Sequence, residues 1–544
     1  MHPRVLVIGL DGGTFAIADP LLESGRLPNL RRLIDSGVRG NLLSTRPPLT
    51  PVAWGAFMTG CGPGKHGTFA FVRVRPEDYG VEFLNGSHLR VPTIWELVSR
   101  QGLRCGAHNV PWTYPPRPVN GFMLSGLDAP GFDGDIAYPR GLFERVVSAN
   151  GPYFEKFVPP ATVAADVGRL GRQVAQSGNV ARWLLQAEPV DVFMTVFSTT
   201  DHVQHNFWQA RRQGPRGAVV EDVIEYTYER IDEEIGRLLD AHADADTTVL
   251  VVSDHGAGPC RGAINLDRWF EANGWLSFRS YRVGVLDRLR RAALGAARRL
   301  SSPALRARLQ RHAPAARERL ASARMVEGID WSQTRAYTWS DYGNVQLNVR
   351  GRQGLGVVDA DGEYAAVREE LRAALLELRH PSDDRPIIES VCTAEELYRG
   401  PHVGTAPDLL VETRDYEYEI ITHLTPGGPV GASHDGELFP PALRGGTHRA
   451  EGMLIASGPG IRAGAQIGDT PLENMAPTIL HLLGLPVPGY MDGVVAEELL
   501  TAEALSRGAP TYLDEALPDV AGDAPYSEDE AEAVEQHLRD LGYV

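Results

Sequence analysis

An apolar run near the start of the chain, Val5–Leu10, passes directly into Asp11 and two glycines. A continuous apolar run that ends at a turn signal is typical of a strand buried on both faces, as in a parallel sheet. Ligands of open α/β sheets bind beyond the carboxyl ends of such strands, so Asp11 is predicted to stand at a ligand site. Taken alone, an Asp-Gly turn after a buried strand is more often structural.

Apolar runs of the same kind recur along the chain, at residues 105–110, 190–197, 247–252 and 452–457. Helical spacing of apolar residues separates them, for example over residues 20–36, 162–187 and 219–241. Strands that alternate with helices predict an α/β fold. We therefore expect a mostly parallel central sheet with helices on both faces.

The charge balance of the chain excludes some classes of partner. Lys and Arg number 53 against 70 Asp and Glu, a formal net charge of −17, which argues against binding of a nucleic-acid polymer. No apolar run is long enough to span a membrane, and no signal segment precedes the first strand. The cysteines Cys61, Cys105, Cys260 and Cys392 show neither metal-site nor disulfide spacing. We expect buried thiols and a cytoplasmic location.

Acidic and imidazole side chains stand after predicted strands or in glycine-rich turns at four places, namely Asp11, Asp201 with His205, Asp254 with His255, and His448. Because the carboxyl ends of parallel strands meet at one edge of a sheet, we expect these side chains to lie close together. Mixed carboxylate and imidazole ligands suit zinc, with manganese as the alternative. The set is large enough to hold two divalent metal ions that share one nucleophile.

Prolines flank Thr50 shortly before a predicted helix over residues 53–58. A hydroxyl at a helix N-terminus meets partial positive charge, which favours attack on a phosphate. A threonine that only caps the helix is the commoner alternative. A bound metal ion would lower the pKa of the hydroxyl, which makes Thr50 the candidate nucleophile.

The order of these motifs resembles the alkaline phosphatase superfamily and, within it, the type I phosphodiesterase/nucleotide pyrophosphatase family. The resemblance runs from Val5 to about Gly493, and its most specific pieces are Leu10-Asp11-Gly12, Thr50 with Thr59-Gly60 behind it, Asp201-x3-His205, Ser253-Asp254-His255-Gly256 and Gly446-Thr447-His448. It implies an alkaline-phosphatase-like sandwich. It also implies two metal sites, one held by Asp201, His205 and His448, and the other by Asp11, Asp254, His255 and Thr50. Thr50 would form a phosphothreonine intermediate that water then hydrolyses.

The sequence departs from the family pattern at one position of the phosphate site. Nucleotide pyrophosphatases have a phosphate-binding asparagine shortly after the His-Gly that matches His66-Gly67, where this chain has Phe69-Ala70-Phe71. Asn109, predicted at the carboxyl end of a strand, or Lys65 is our candidate for the missing donor. Thr50-Pro51-Val52-Ala53-Trp54 lacks the cysteine or serine and the arginine of a sulfatase.

An arginine-rich segment interrupts the resemblance, with twelve arginines in residues 282–324. It is predicted to form one or two helices that serve as a solvated cap. The alternatives are a basic lid over an anionic substrate and a patch for an acidic surface. The predicted organisation is a catalytic domain in two parts, 1–270 and 331–500, the insertion 271–330 between them, and a linker with an amphipathic helix over 501–544.

These observations predict a metal-dependent hydrolase of phosphoric esters, acting on small diesters or nucleotide-type pyrophosphates. A phosphomonoesterase or a phosphomutase or phosphotransferase of the same superfamily is the first alternative. A non-catalytic protein that binds metal or phosphate on this fold is the second. The oligomeric state and the leaving group are left open by the sequence.

Overall fold

A ten-stranded sheet forms the centre of the computed structural model, which describes residues 2–541 apart from 132–133, 154–162, 209–222, 280–327, 423–436, 519, 521 and 523. The described strands are β1 Val5–Leu10, β2 Val38–Leu43, β3 Val72–Val74, β4 Val81–Phe83, β5 Cys105–Val110, β6 Gly121–Ser125, β7 Ala137–Tyr138, β8 Val192–Phe197, β9 Thr248–Val252, β10 Gly256–Pro259, β11 Gly262–Asn265, β12 Ala336–Thr338, β13 Asn344–Leu347, β14 Ile388–Thr393, β15 Leu409–Thr413, β16 Tyr418–Ile421, β17 Gly446–Arg449, β18 Glu451–Ser457, β19 Ala465–Gln466, β20 Thr470–Pro471, β21 Val487–Pro488 and β22 Tyr512–Leu513.

The central sheet has the strand order β19-β2-β18-β9-β1-β8-β5-β6-β7, with β20 also paired to β2. Strands β9, β1, β8, β5 and β6 are parallel neighbours, whereas β18 runs antiparallel to β9 and β2, and β7 antiparallel to β6. Every residue of β1, β8 and β9 is buried, as the continuous apolar runs predicted. The mostly parallel sheet is confirmed.

Fifteen helices are described around this sheet. They are α1 Phe15–Glu23, α2 Pro28–Ser36, α3 Thr50–Thr59, α4 Pro63–His66, α5 Ile94–Arg100, α6 Leu142–Asn150, α7 Val163–Ala187, α8 Thr199–Phe207, α9 Val223–His242, α10 Leu266–Ala272, α11 Tyr364–Leu376, α12 Ala394–Leu397, α13 Met475–Leu482, α14 Ala502–Arg507 and α15 Glu528–Leu541. None of them combines the length and hydrophobicity that a membrane span requires.

The first helical region differs from its prediction, because residues 20–36 belong to two helices instead of one. Gly25 between α1 and α2 has a φ of +73°, a left-handed conformation that ends the first helix. Pro28 then starts α2, where its missing N–H costs no hydrogen bond. The apolar spacing correctly predicted helical structure in this region, and Gly25 and Pro28 divide it into two helices.

Smaller sheets lie beside the central one. A four-stranded sheet has the order β12-β13-β15-β14, and two-stranded ladders join β10 to β17 and β11 to β16. The ladder of β10 and β17 is antiparallel and pairs Ala257 with His448. This pairing brings the predicted C-terminal ligand next to the segment that follows β9.

The remaining predictions of organisation have mixed outcomes. The arginine-rich segment 282–324 lies outside the described residues. The predicted last helix is present as α15, where Ser527 and Glu530 form the expected reciprocal cap and Val534 and Leu538 are buried. All four cysteines are unpaired, and all but Cys392 are buried.

Candidate metal centre and nucleophile

The candidate ligands meet at the carboxyl edge of the central sheet. Asp11 directly follows β1, Asp201 and His205 lie on α8 directly after β8, and Asp254 and His255 follow β9. Strands β8, β1 and β9 are adjacent and parallel, so their carboxyl ends open into the same space. The ladder between β10 and β17 adds a ligand from the far end of the chain.

The first group consists of Asp201, His205 and His448. Asp201 and His205 are four residues apart on α8, so both side chains lie on one face of the helix. The Nε2 atom of His205 lies 3.3 Å from Asp201 Oδ2 and 3.0 Å from His448 Nε2. His448 Nε2 lies 3.5 Å from Asp201 Oδ1. The structure thus brings these three predicted ligands together.

The second group is centred on His255. Its Nε2 atom lies 3.3 Å from Asp254 Oδ2, 3.7 Å from Asp11 Oδ1 and 3.3 Å from Thr50 Oγ1. The two groups adjoin, because His255 also has a ligand atom within 4.8 Å of those of Asp201 and His448. All seven predicted metal-ligating residues therefore belong to one buried cluster.

Hydrogen bonds to carbonyl groups fix the tautomer of all three histidines. The Nδ1 atoms of His205, His255 and His448 donate to the carbonyl oxygens of Gly446 (3.0 Å), Gly256 (3.0 Å) and Pro48 (2.7 Å). A carbonyl only accepts, so each neutral ring carries its proton on Nδ1 and presents a lone pair at Nε2. Three such lone pairs face the carboxylates, which is the arrangement a metal ion requires.

Asp11 and Asp254, the carboxylates of the second group, are electrostatically strained without a cation. Burial raises the pKa of Asp11 well above its usual value, and the nearby charges of Asp254 and Asp201 raise it further. Burial also raises the pKa of Asp254 to about 6. Although burial opposes it, the pKa of Asp201 lies well below its usual value because His205 is in contact.

Two carboxylate oxygens of the second group also indicate a site for a cation. Asp11 Oδ1 and Asp254 Oδ2 are buried and accept no hydrogen bond from any residue that the structure describes. Buried anionic oxygens without donors are costly unless a cation neutralises them. The donor set of carboxylate oxygens and imidazole nitrogens therefore fits divalent metal ions such as zinc or manganese.

Thr50 is the first residue of α3 and is completely buried beside His255. The residue that caps this helix is Leu49, whose side chain makes no capping hydrogen bond. The interpretation of Thr50 as a helix cap is therefore wrong, because the helix begins three residues before its predicted start. The hydroxyl stands at the positive end of the helix and faces the second ligand group.

The loop before Thr50 is held by residues that the sequence did not indicate. Arg46 forms an ion pair with Glu412 of β15, and its carbonyl accepts a hydrogen bond of 2.7 Å from the hydroxyl of Tyr398. Pro48, two residues before Thr50, accepts the bond from His448. Glu412 is 366 residues from Arg46 in the chain, so no local pattern could have revealed this anchor.

Asn109 lies at the same sheet edge, but its amide group is already used. It has a φ of +55° near the end of β5, and Nδ2 donates to Val196 O at 2.8 Å and to Ser198 Oγ at 3.2 Å. An amide nitrogen has two hydrogens, and both point at the end of β8. Asn109 therefore supports the start of α8 in this structure and offers no free N–H to a phosphate.

Lys65 makes its contacts away from the cluster. Its ammonium group donates to the carbonyl of Tyr490 at 2.7 Å and lies 2.6 Å from Asp492 Oδ1. These described contacts tie α4 to the C-terminal part of the chain, and none joins Lys65 to the ligand groups. The structure thus does not bring this predicted phosphate donor to the site.

Replacing Lys65 with methionine is expected to lower the free energy of unfolding by about 1 kcal/mol, because the ion pair with Asp492 is partly exposed. We expect kcat/KM for phosphate esters to stay unchanged. Denaturant unfolding and steady-state kinetics of Lys65→Met and Asp492→Asn check both points. A fall in kcat/KM without loss of stability would instead place Lys65 in phosphate binding.

Comparisons with known proteins agree with this geometry. The sequence model of the type I phosphodiesterase / nucleotide pyrophosphatase family matches residues 5–437. A search of curated proteins finds no match. Among solved structures, the chain is similar to phosphonoacetate hydrolase from Sinorhizobium meliloti 1021 in complex with phosphonoformate, with a TM-score of 0.51 and 15% identity over 84% of this chain and 90% of that one.

The chain is also similar to an inactive variant of murine ectonucleotide pyrophosphatase/phosphodiesterase 5 in complex with AMP. The TM-score is 0.50 and the identity 14%, over 92% of this chain and 100% of that one. At such identities the likeness shows the fold, and the alkaline-phosphatase-like architecture is confirmed. Since the family model covers far more than half of the 544 residues, the chain belongs to the type I phosphodiesterase/nucleotide pyrophosphatase family and is a hydrolase of phosphoester bonds.

Proposed function

We propose that the protein hydrolyses small phosphodiesters or nucleotide-type pyrophosphates through a phosphothreonine intermediate on Thr50, at a site for two divalent metal ions. One observation carries the proposal. The Oγ1 atom of Thr50 lies 3.3 Å from a histidine Nε2 lone pair, inside a buried cluster of three aspartates and three histidines. A threonine in this position has no structural task as a helix cap, and its surroundings are those of an activated nucleophile.

Each metal ion would be held by one ligand group. Asp201, His205 and His448 would hold one ion, and Asp11, Asp254, His255 and Thr50 the other. When bound, two cations neutralise the charge that develops on the phosphoryl oxygens and lower the pKa of the threonine hydroxyl. Zinc is our first assignment and manganese the alternative, since both accept oxygen and nitrogen ligands.

The chain's own residues account for the course of the reaction. The Thr50 oxygen forms a bond to phosphorus as the bond between phosphorus and the leaving oxygen breaks, and the leaving group departs with a proton. The N-terminus of α3 places partial positive charge next to the transferred phosphoryl group. Water then cleaves the phosphothreonine, which releases the phosphate product and restores the hydroxyl.

The structural neighbours support the assignment of substrate and nucleophile. The murine enzyme that binds AMP is inactive when one of its threonines is replaced by alanine. The Sinorhizobium enzyme, a phosphonoacetate hydrolase, binds a small phosphonate. We accordingly propose a small-molecule phosphate ester as substrate. From the charge balance and the cysteine spacing we further propose a cytoplasmic location and no nucleic-acid polymer as partner.

The test is a paired assay of metal-loaded protein on bis(4-nitrophenyl) phosphate and 4-nitrophenyl phosphate, with zinc and manganese loaded separately. We expect kcat/KM for the diester to exceed that for the monoester by at least about tenfold. Such a ratio corresponds to a difference of about 1.4 kcal/mol in binding of the two transition states. Protein stripped by a chelator serves as the matched control and should be inactive.

The alternatives give different outcomes in the same assay. A preference for the monoester would indicate a phosphomonoesterase. Transfer of the phosphoryl group to an added alcohol, measured as its phosphate ester, would indicate a phosphotransferase. No turnover of either compound with metal bound would favour a binding protein and contradict the proposal.

A further inference from the structure

A turn of four residues, 11–14, begins at Asp11 of the second ligand group and packs at Gly12 against Asp201 of the first. Its backbone groups are bound by side chains from several other parts of the chain. The Asp11 carbonyl accepts from Thr200 Oγ1 (2.6 Å), Gly12 N donates to Asp254 Oδ1 (3.1 Å), the Gly12 carbonyl accepts from Gln204 Nε2 (2.9 Å), the Gly13 carbonyl accepts from Ser253 Oγ (2.9 Å), and Thr14 N donates to Tyr228 Oη (3.0 Å). Side chains therefore set the position of this turn relative to both groups.

Helix α8 contributes two of these side chains from one face. Thr200 and Gln204 are four residues apart, each directly before one of the ligands Asp201 and His205. Both side chains are buried. Gln204 also accepts a hydrogen bond of 3.3 Å from the hydroxyl of Tyr228, a residue of α9. On α8, Asp201 and His205 thus belong to the first ligand group, whereas Thr200 and Gln204 bind the backbone of the turn.

The turn packs directly against α8 at Gly12. This glycine has a φ of +65°, and a Cβ atom there would lie 2.9 Å from Asp201 Oδ1 and 3.2 Å from Gln204 Nε2. The close approach leaves no room for a side chain between the groups. Their separation therefore depends on the hydrogen bonds that pull the turn onto α8.

We propose that Thr200 and Gln204 are positioning residues that fix the distance between the two ligand groups and so allow two cations to bind as a pair. The inference rests on the proposed two-metal function. Two-metal sites that act on one phosphoryl group hold their cations about 3.5–4 Å apart. Partners that orient metal ligands typically contribute 10- to 100-fold to metal affinity.

The test uses substitutions that keep shape and remove the donor. Thr200→Val loses the hydroxyl bound to Asp11, and Gln204→Met loses the amide bound to Gly12. Two controls keep the proposed contacts. Thr200→Ser retains a hydroxyl, and Asn206→Ala changes an exposed residue of α8 that contacts only the carbonyl of His202 among the contacts described for it.

Two measurements on the full chain follow the metal site without any turnover. Manganese titration by calorimetry gives the stoichiometry and both affinities, and electron paramagnetic resonance reports magnetic coupling between paired Mn²⁺ ions. Wild-type protein and both controls are expected to bind two coupled ions. Thr200→Val and Gln204→Met are expected to bind one of the ions about 10- to 100-fold more weakly and to lose the coupling.

The outcomes separate the inference from the function on which it rests. Two tightly bound, coupled ions in Thr200→Val and Gln204→Met would overturn the inference and leave the proposed function standing. Fewer than two ions in the wild type would overturn both. Should a variant not fold, Tyr228→Phe removes only the hydroxyl that links Gln204 to Thr14, and unchanged coupling in that variant would also count against the inference.

Discussion

Thr50→Val is expected to abolish hydrolysis of the diester, with a fall in kcat on the order of 10³- to 10⁶-fold, the range seen when an enzyme loses its nucleophile. Valine has nearly the shape of the completely buried threonine, so α3 and the loop before it should keep their packing, and the main contact that is lost is the one between the hydroxyl and His255 Nε2. The variant removes the only atom of residue 50 that can bond to phosphorus. Steady-state kinetics with the metal-loaded variant measures the loss.

The same experiment has a direct readout for the covalent intermediate. Acid quenching of wild-type protein during turnover of bis(4-nitrophenyl) phosphate, followed by mass spectrometry, should show one added 4-nitrophenyl phosphoryl group on the peptide that contains Thr50, because only one of the two nitrophenol groups has left. Thr50→Ser should retain the adduct and a measurable part of the activity, because the hydroxyl remains.

A second buried threonine of the same helix provides the control. The hydroxyl of Thr59 donates to Gly55 O at 2.7 Å, so Thr59→Val is expected to lose stability without losing turnover. Diester hydrolysis by Thr50→Val within tenfold of wild type would contradict the assignment of the nucleophile. So would an adduct on any other residue.

Asp11→Asn is expected to raise the melting temperature of the metal-free protein and to lower that of the metal-loaded protein. The pKa of Asp11 is raised by burial and by the charges of Asp254 and Asp201, so its ionised form costs stability at neutral pH when no cation is bound. Asparagine has the same shape and no charge. Its amide can donate to His255 Nε2, which lies 3.7 Å from Asp11 Oδ1.

With metal bound, the variant is expected to melt below the wild type, because it lacks an anionic ligand. At a metal concentration of 100 Kd, each site in the wild type contributes about 2.7 kcal/mol to the free energy of unfolding. We expect Asp11→Asn to lose most of the contribution of one site. Thermal unfolding with and without manganese, at one neutral pH, measures both shifts.

The matched control for Asp11→Asn is an exposed aspartate outside the cluster. Asp361→Asn changes charge by the same amount on the surface, where such substitutions are usually within about 0.5 kcal/mol of wild type. If the metal-free Asp11→Asn protein melts below the wild type, the prediction is contradicted. The ionised Asp11 would then not destabilise the metal-free protein.

Much of the candidate site was predictable because its residues follow local patterns in the sequence. Apolar runs identified β1, β8 and β9, and acids or imidazoles directly after them identified Asp11, Asp201 and Asp254. The spacing of Asp201 and His205 follows the period of one helical turn, and α8 has that period. Each of these features involves residues close together in the chain, so it can be recognised from the sequence alone.

The residues next to the candidate ligands on α8 also form a pattern that the sequence analysis could have used. Thr200 and Gln204 repeat the four-residue spacing of Asp201 and His205, one position earlier. Two polar pairs with the same four-residue spacing on one short helix indicate two polar faces, one for the candidate metal centre and one for another part of the protein. Only the structure shows that the second face binds the turn at Asp11.

Other features depend on contacts between distant parts of the chain. The pairing of β10 with β17 brings His448 to the cluster, and the ion pair of Arg46 with Glu412 holds the loop before Thr50. The sequence also offered Asn109 and Lys65 as phosphate donors, and the fold gives their N–H groups to Val196, Ser198, Tyr490 and Asp492.

By itself, the sequence determined the residue types of the site and the strands that carry most of them, because secondary structure and ligand chemistry are local properties. Only the tertiary structure decided which of those residues meet, which tautomer each histidine takes and which donors are already used. The reason is physical: each of these depends on distances between atoms far apart along the chain, and such distances are fixed only when the whole core packs.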